Sequence, residues 1–191
     1  MCVGMRKNKE LIGNMIILLA ERYKPLYLTK LLKLLYLIDE ESVKKTGAPI
    51  TWLSYKAWQF GPVSEDVYSS KCLGYNKFSQ YVDFISIEEN KVLVSSVSKF
   101  DDSEFSELDM VIIEDSLCRY GQMTGSELID ITHAEGSLWD KSVKEAGVKF
   151  TKSNKTSDIE LNFVDLLKDD NFKRTLYYST LENIQFQATL L

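Results

Sequence analysis

"LTKLLKLLYLIDEESVKKTGAPI", residues 28–50, decides the architecture. Leu31, Leu32, Leu34, Leu35, Leu37 and Ile38 cover more than one face of any helix they form. The segment from about Tyr27 to Lys45 is therefore read as a helix for the middle of the molecule. Gly47 stands where a left-handed residue ends a helix, and Pro49 prevents its resumption. Upstream, Leu11, Ile12, Met15, Ile16, Leu18, Leu19 and Tyr23 recur at steps of three and four, predicting a first helix that ends near Lys24-Pro25.

Downstream, "ITWLSYKAW" (50–58) fits a short extended segment or a helical turn equally well. In "AWQFGPVSEDVY" (57–68) the Gly61-Pro62 step stops whatever precedes it, because Pro62 keeps Gly61 out of the right-handed helical region. Ser64 can then accept from the first N–H groups of a new helix, with Glu65 and Asp66 at its positive end. "VDFISIEENKVLVSSV" (82–97) predicts a β-hairpin turning at Glu88, Glu89 and Asn90. Phe105, Leu108, Val111, Ile112, Asp115 and Cys118 mark steps along a following helix that Gly121 ends. Thr124 and Glu127 have capping-box spacing for a short helix to about His133, and Ser157 and Glu160 repeat that spacing before "LNFVDLL". The expected class is α+β, predominantly α-helical, with a small β-hairpin or short antiparallel sheet. Residues 1–150 form the main domain, the polar "TKSNKTS" (151–157) a linker, and 151–191 a C-terminal helical extension.

At 191 residues, with 45% hydrophobic and 27% charged residues, the chain reads as one soluble globular body. Its net charge of -5 disfavours binding driven by phosphate contacts, so a nucleic-acid partner is not expected. Lys141, Lys144, Lys149, Lys152 and Lys155, with only Glu145 against them, read as a solvated helix face running into a linker. Cys2, Cys72 and Cys118 show no metal or redox spacing and suit reduced thiols in the cytoplasm. The apolar run "LIGNMIILLA" (11–20) is broken by Asn14 and is too short for a bilayer, so no membrane anchoring is expected.

The search for chemistry yields no catalytic constellation, no metal site and no cofactor site. His133 is the sole histidine, with Asp130 and Glu135 nearby. It suits a ring that donates to the open carbonyls of a helix end and packs on Trp139 better than it suits a general acid or base. The paired carboxylates fall at element ends or in turns, and no glycine-rich phosphate loop or nucleophile elbow occurs. Trp52, Tyr55, Trp58 and Phe60 lie within nine residues and make either a core corner or a binding surface.

Taken in order, the motifs are Lys30, Lys33, Leu34, Leu35 and Tyr36; then Ala57, Trp58, Phe60, Gly61, Pro62, Val63 and Tyr68; then Thr132, His133 and Trp139. Over about residues 8–145 this series resembles the Panacea domain, the SocA-like antitoxin family of bacteria and phages. The resemblance implies a mostly helical domain with a small β element and an antitoxin that meets a protein toxin by direct contact. One branch of the family instead delivers its toxin to a protease. It further implies that Lys30, Tyr36, Trp58, Phe60, Gly61, Pro62, Val63, Tyr68, Thr132, His133 and Trp139 either contact the partner or make the fold. Some relatives carry an added helix-turn-helix domain, for which no room is expected before "LIGNMIILLA", and the tail beyond about 150 lies outside the resemblance. A different protein-interaction module ranks second and an enzyme using His133 third.

Overall fold

The computed structural model describes residues 8–72, 74–88 and 91–189. Cys2 and the expected turn residues Glu89 and Asn90 lie outside the described residues. The first helix, α1 (Lys9–Arg22), starts at Asn8, whose side chain accepts from the N–H groups of Glu10 and Leu11. Residues 11–20 are all buried. Asn14 fits there because it accepts from the Asp101 N–H and donates to the Glu10 carbonyl, which satisfies its buried amide.

A two-residue strand, β1 (Leu26–Tyr27), leads into α2 (Leu28–Thr46), which is buried along most of its length. Gly47 closes α2 at φ +88°, its N–H bonded to the Val43 carbonyl, as the sequence predicts. Residues 50–55 stay irregular, and a small hairpin follows, formed by β2 (Lys56–Trp58) and β3 (Gly61–Val63). The Gly61-Pro62 step is thus part of a strand and not simply a stop.

Pro62 is tolerated in that strand for a geometric reason. Its partner Ala57 turns its own N–H and C=O the other way, to the Ile159 carbonyl and the Ser157 hydroxyl. Ala57 and Pro62 are therefore a non-hydrogen-bonded pair, in which a missing N–H costs nothing. The helix launched here, α3 (Glu65–Tyr68), is short and runs into a 3-10 turn (Ser69–Lys71). Ser64 stands at its N-cap position, but its buried hydroxyl makes no cap bond, against expectation.

The long hairpin forms as predicted, from β4 (Val82–Glu88) and β5 (Lys91–Ser96), and β1 adds to it in the order β1-β5-β4. Next come α4 (Glu107–Tyr120), α5 (Gly125–Thr132), α6 (Leu138–Glu145) and α7 (Asn171–Thr189). The capping box of Thr124 and Glu127 is present, and Ser106 with Asp109 makes a second one on α4. In α4 the inward face is Ile112, Ile113, Ser116, Leu117 and Tyr120, whereas Leu108 and Val111 are exposed and Asp115 pairs with Lys45.

The tail corrects one expectation. Ser157 caps no helix: its hydroxyl donates to the Ala57 carbonyl, and the segment runs along the outer edge of β2. Gln59 and Ala57 donate to the Lys155 and Ile159 carbonyls, and Leu161 donates to that of Tyr55. Pairing with an open strand edge satisfies more backbone groups than one local cap. The next turn, a 3-10 turn (Phe163–Leu167), is capped by Asn162. Leu161, Phe163 and Leu167 are buried in the same apolar cluster as α1 and α2. The five lysines between 141 and 155 are exposed, and Lys144 pairs with Asp140.

Candidate functional site: a clamped aromatic hairpin

The turn of the β2–β3 hairpin is Gln59-Phe60, and its geometry is set by neighbours on α2, α5 and α6. Gly61 follows at φ +93°, and a Cβ there would lie 2.7 Å from the Thr132 hydroxyl and 2.9 Å from Lys33 Cε. Only glycine fits both the angle and the space. Lys33 is buried, and its ammonium donates to the Pro62 carbonyl at 2.8 Å. Burial pushes that ammonium down to about 7.

The carbonyls of Trp58 and Gln59 are held from the other side. Trp139 Nε1–H donates to Trp58 O at 3.0 Å, and His133 Nε2 lies 3.2 Å from Gln59 O. His133 Nδ1 lies 2.7 Å from Ile129 O, at the end of α5, and the imidazole sits 3.8 Å from the Trp139 ring. Both ring nitrogens thus face backbone carbonyls; a neutral imidazole donates to one of them, and the ring sits packed between the end of α5 and the turn. Thr132 places its hydroxyl against Gly61 and donates to Ile129 O at 3.0 Å.

The outer side of the hairpin is aromatic. Trp58 meets Tyr68 edge to face at 4.8 Å, and the Lys71 ammonium stands 3.7 Å from the Tyr68 ring centre. Phe60 is 54% exposed at the tip, while Val63 is buried beneath it. Of the four clustered aromatics, Tyr55 joins the core, Trp58 is half-buried and Phe60 faces solvent. Trp52, at φ +52°, lays its ring on Tyr177 of α7 at 5.1 Å.

Nine of the eleven motif residues therefore converge, from Trp58, Phe60, Gly61, Pro62, Val63 and Tyr68 to Thr132, His133 and Trp139. Lys30 and Tyr36 make other contacts. Lys30 donates to Gly121 O at 2.7 Å and so caps the C-terminus of α4, its ammonium lowered by burial. Tyr36 is core, edge-on to Tyr55 at 5.3 Å and stacked on Phe163 at 5.7 Å. Beside it, fully buried Asp39 accepts from Tyr55 OH at 2.8 Å and from the Thr51 N–H and hydroxyl, and burial pushes its carboxyl up to about 6. Sequence reasoning assigned no role to Asp39 or to the Gln59 carbonyl. An aspartate inside a leucine-rich helix is the only signal that pointed to the first, and nothing pointed to the second.

An α+β domain, mainly helical, whose motif residues clamp a short aromatic hairpin is the class these observations define. Residues 31–140 match the family model described as antitoxin SocA-like, Panacea domain, and the chain belongs to that family. It is also 32% identical over 110 residues to Antitoxin SocA of Caulobacter vibrioides (strain NA1000 / CB15N). That match covers 56% of this chain and 55% of the relative, so the chain spans about half the length of the curated relative it matches. No solved structure matches. Among the described residues no helix is long and apolar enough to cross a membrane.

Proposed function

We propose that this chain is an antitoxin acting in the cytoplasm, which neutralises a protein toxin by direct contact through the rim of the clamped hairpin. The family supports the partner class. The observation that carries the contact surface is Phe60, 54% exposed on a turn whose Trp58 carbonyl is held by Trp139 and whose Gln59 carbonyl lies against the His133 ring. A rigid, exposed aromatic loses little conformational entropy on docking, and aromatic residues dominate interface hot spots. Trp58, Tyr68 and Trp139 flank it, half-buried, while Gly61, Pro62, Val63 and Thr132 shape the support.

The test is co-expression with the product of the neighbouring gene, followed by binding with purified proteins. Phe60→Ala is expected to weaken the complex by roughly 2 kcal/mol or more while leaving the unfolding midpoint unchanged, because the side chain is exposed. A Phe60→Ala chain that binds and rescues growth as the parent does overturns the assignment of the surface. Direct blocking further expects the toxin to remain abundant in rescued cells. Rapid loss of the toxin would assign the chain to the protease-delivery branch.

A further inference from the structure

A cavity of about 510 Å³ lies between α7, the irregular stretch 50–55 and the tail around residues 160–164. No described residue of β2 or β3 lines it, so it is separate from the hairpin rim. Aromatic side chains form its walls. Tyr55 and Phe163, both buried, meet edge to face at 5.7 Å, and Trp52, Tyr177 and Tyr178 continue the series at 5.1 and 5.9 Å. Trp52 is anchored from both sides, since the Thr51 N–H and hydroxyl donate to Asp39 and the Leu53 N–H donates to the Thr51 hydroxyl. That anchoring keeps a tryptophan at φ +52°, a backbone region that few residues other than glycine adopt.

The cavity also carries negative charge. Among the described lining residues Glu160 is the only charged one, and its carboxylate makes no ion pair with a described cation. Lys56, bridged to Glu160 along the backbone, directs its ammonium to Glu65 and Asp158 instead. Beyond Tyr55 lies the fully buried Asp39 carboxylate, which accepts from the Tyr55 hydroxyl at 2.8 Å. Burial, then the charges of Tyr178 and Asp39, push the Tyr177 phenol up, so Asp39 acts on the cavity wall as well.

We propose that this cavity receives an arginine side chain carried by a partner protein, its guanidinium against the aromatic rings and its N–H groups on Glu160. Aromatic faces attract cations, and a guanidinium is flat, weakly hydrated and able to stack on a ring while pairing with a carboxylate. A lysine ammonium gives up more hydration on entering, and an anion is repelled by Glu160. An uncharged ligand leaves that carboxylate to lose water with nothing in exchange. Two observations favour arginine on a protein over a free small cation. The volume exceeds what one side chain fills, so neighbouring residues enter with it, and the net charge of -5 draws basic partners from a distance. None of this depends on Phe60 or on the hairpin as a contact.

The test is an NMR titration of the full chain with capped pentapeptides of glycine and serine that carry arginine, lysine or glutamate at the centre. The arginine peptide is expected to bind saturably and to shift the signals of the Trp52 indole and the Tyr177 and Tyr178 rings. The lysine peptide is expected to bind several-fold more weakly and the glutamate peptide not at all. Glu160→Gln is expected to weaken binding of the arginine peptide about ten-fold or more, and Tyr178→Ala about three-fold or more. Both side chains are exposed, so the unfolding midpoint is expected to stay where it is. An arginine peptide that binds no better than the glutamate peptide, or that binds both variants as it binds the parent, overturns the proposal. Free arginine that binds as tightly as the peptide overturns the partner-protein source and gives the cavity to a small guanidino compound.

Discussion

At the scale of single residues, two buried ionisable groups on α2 do opposite things with pH. Lys33 keeps one hydrogen bond to Pro62 O and is held down to about 7 from an ordinary 10.5. A depressed folded value gives stability that is complete above the unfolded value and is lost as pH falls through the folded one. Asp39, raised to about 6 from 3.8, gives stability that is complete below the unfolded value and is lost as pH rises through the folded one. Comparison of urea unfolding for the parent chain and Lys33→Met isolates the first effect. The stability difference between them is expected to move in the parent's favour from about pH 7 to about 10.5, by on the order of 5 kcal/mol. A difference that stays flat across that window would show that the folded chain keeps Lys33 protonated throughout it. His133 was legible in part: its place at a helix end and its contact with Trp139 follow from local spacing, whereas its second carbonyl belongs to Gln59, 74 residues away.

At the scale of elements, the hairpin of β2 and β3 is too short to stand alone, and its shape is imposed by Lys33, Thr132, His133 and Trp139. Gly61→Ala is the sharpest probe of that clamp. Alanine at φ +93° is strained, and its Cβ would press on Thr132 and Lys33, so a loss of roughly 2–4 kcal/mol in urea unfolding is expected. A loss below about half a kcal/mol would mean the turn relaxes freely. Helix ends were the most legible features: Gly47, Thr124 and Glu127 act as their local chemistry dictates. Ser157 has the same local credentials and fails, because an open edge of β2 lies within its reach and competes for its hydroxyl. The face of α4 was also hard to read, since Leu108 and Val111 are apolar yet exposed while Ser116 turns inward and bonds to Ile112 O.

At the scale of the whole molecule, the tail divides into two parts with different consequences. Residues up to the 3-10 turn supply Leu161, Phe163 and Leu167 to the core, and Phe163 closes over Tyr36 and Tyr55. By contrast, no described side chain of α7 is fully buried; the helix is held by Lys173 on the Lys44 carbonyl and by Tyr177 on Trp52. A chain ended after Asp170 is therefore expected to keep a cooperative thermal transition. A chain ended after Phe150 is expected to lose it, because three large apolar side chains contribute about 1.5–3 kcal/mol each against a total of about 5–15 kcal/mol. A sharp transition in the shorter chain would mark residue 150 as a true domain boundary.

By itself the sequence determined the helical class, the central α2, the long hairpin and the caps at Gly47 and Thr124, together with the three motif clusters that mark the family. Each of these depends on residues within a turn or two of one another, where spacing and side-chain type decide the outcome. Only the tertiary structure decided that Trp139 holds the Trp58 carbonyl from 81 residues away, and that Ser157 reaches Ala57 across 100. It also decided that Phe60 is left in solvent while Tyr36 and Tyr55 are enclosed. A backbone carbonyl carries no residue-specific signature in a sequence, so which donor meets it is settled by the packing of α2, α5 and α6 around the hairpin.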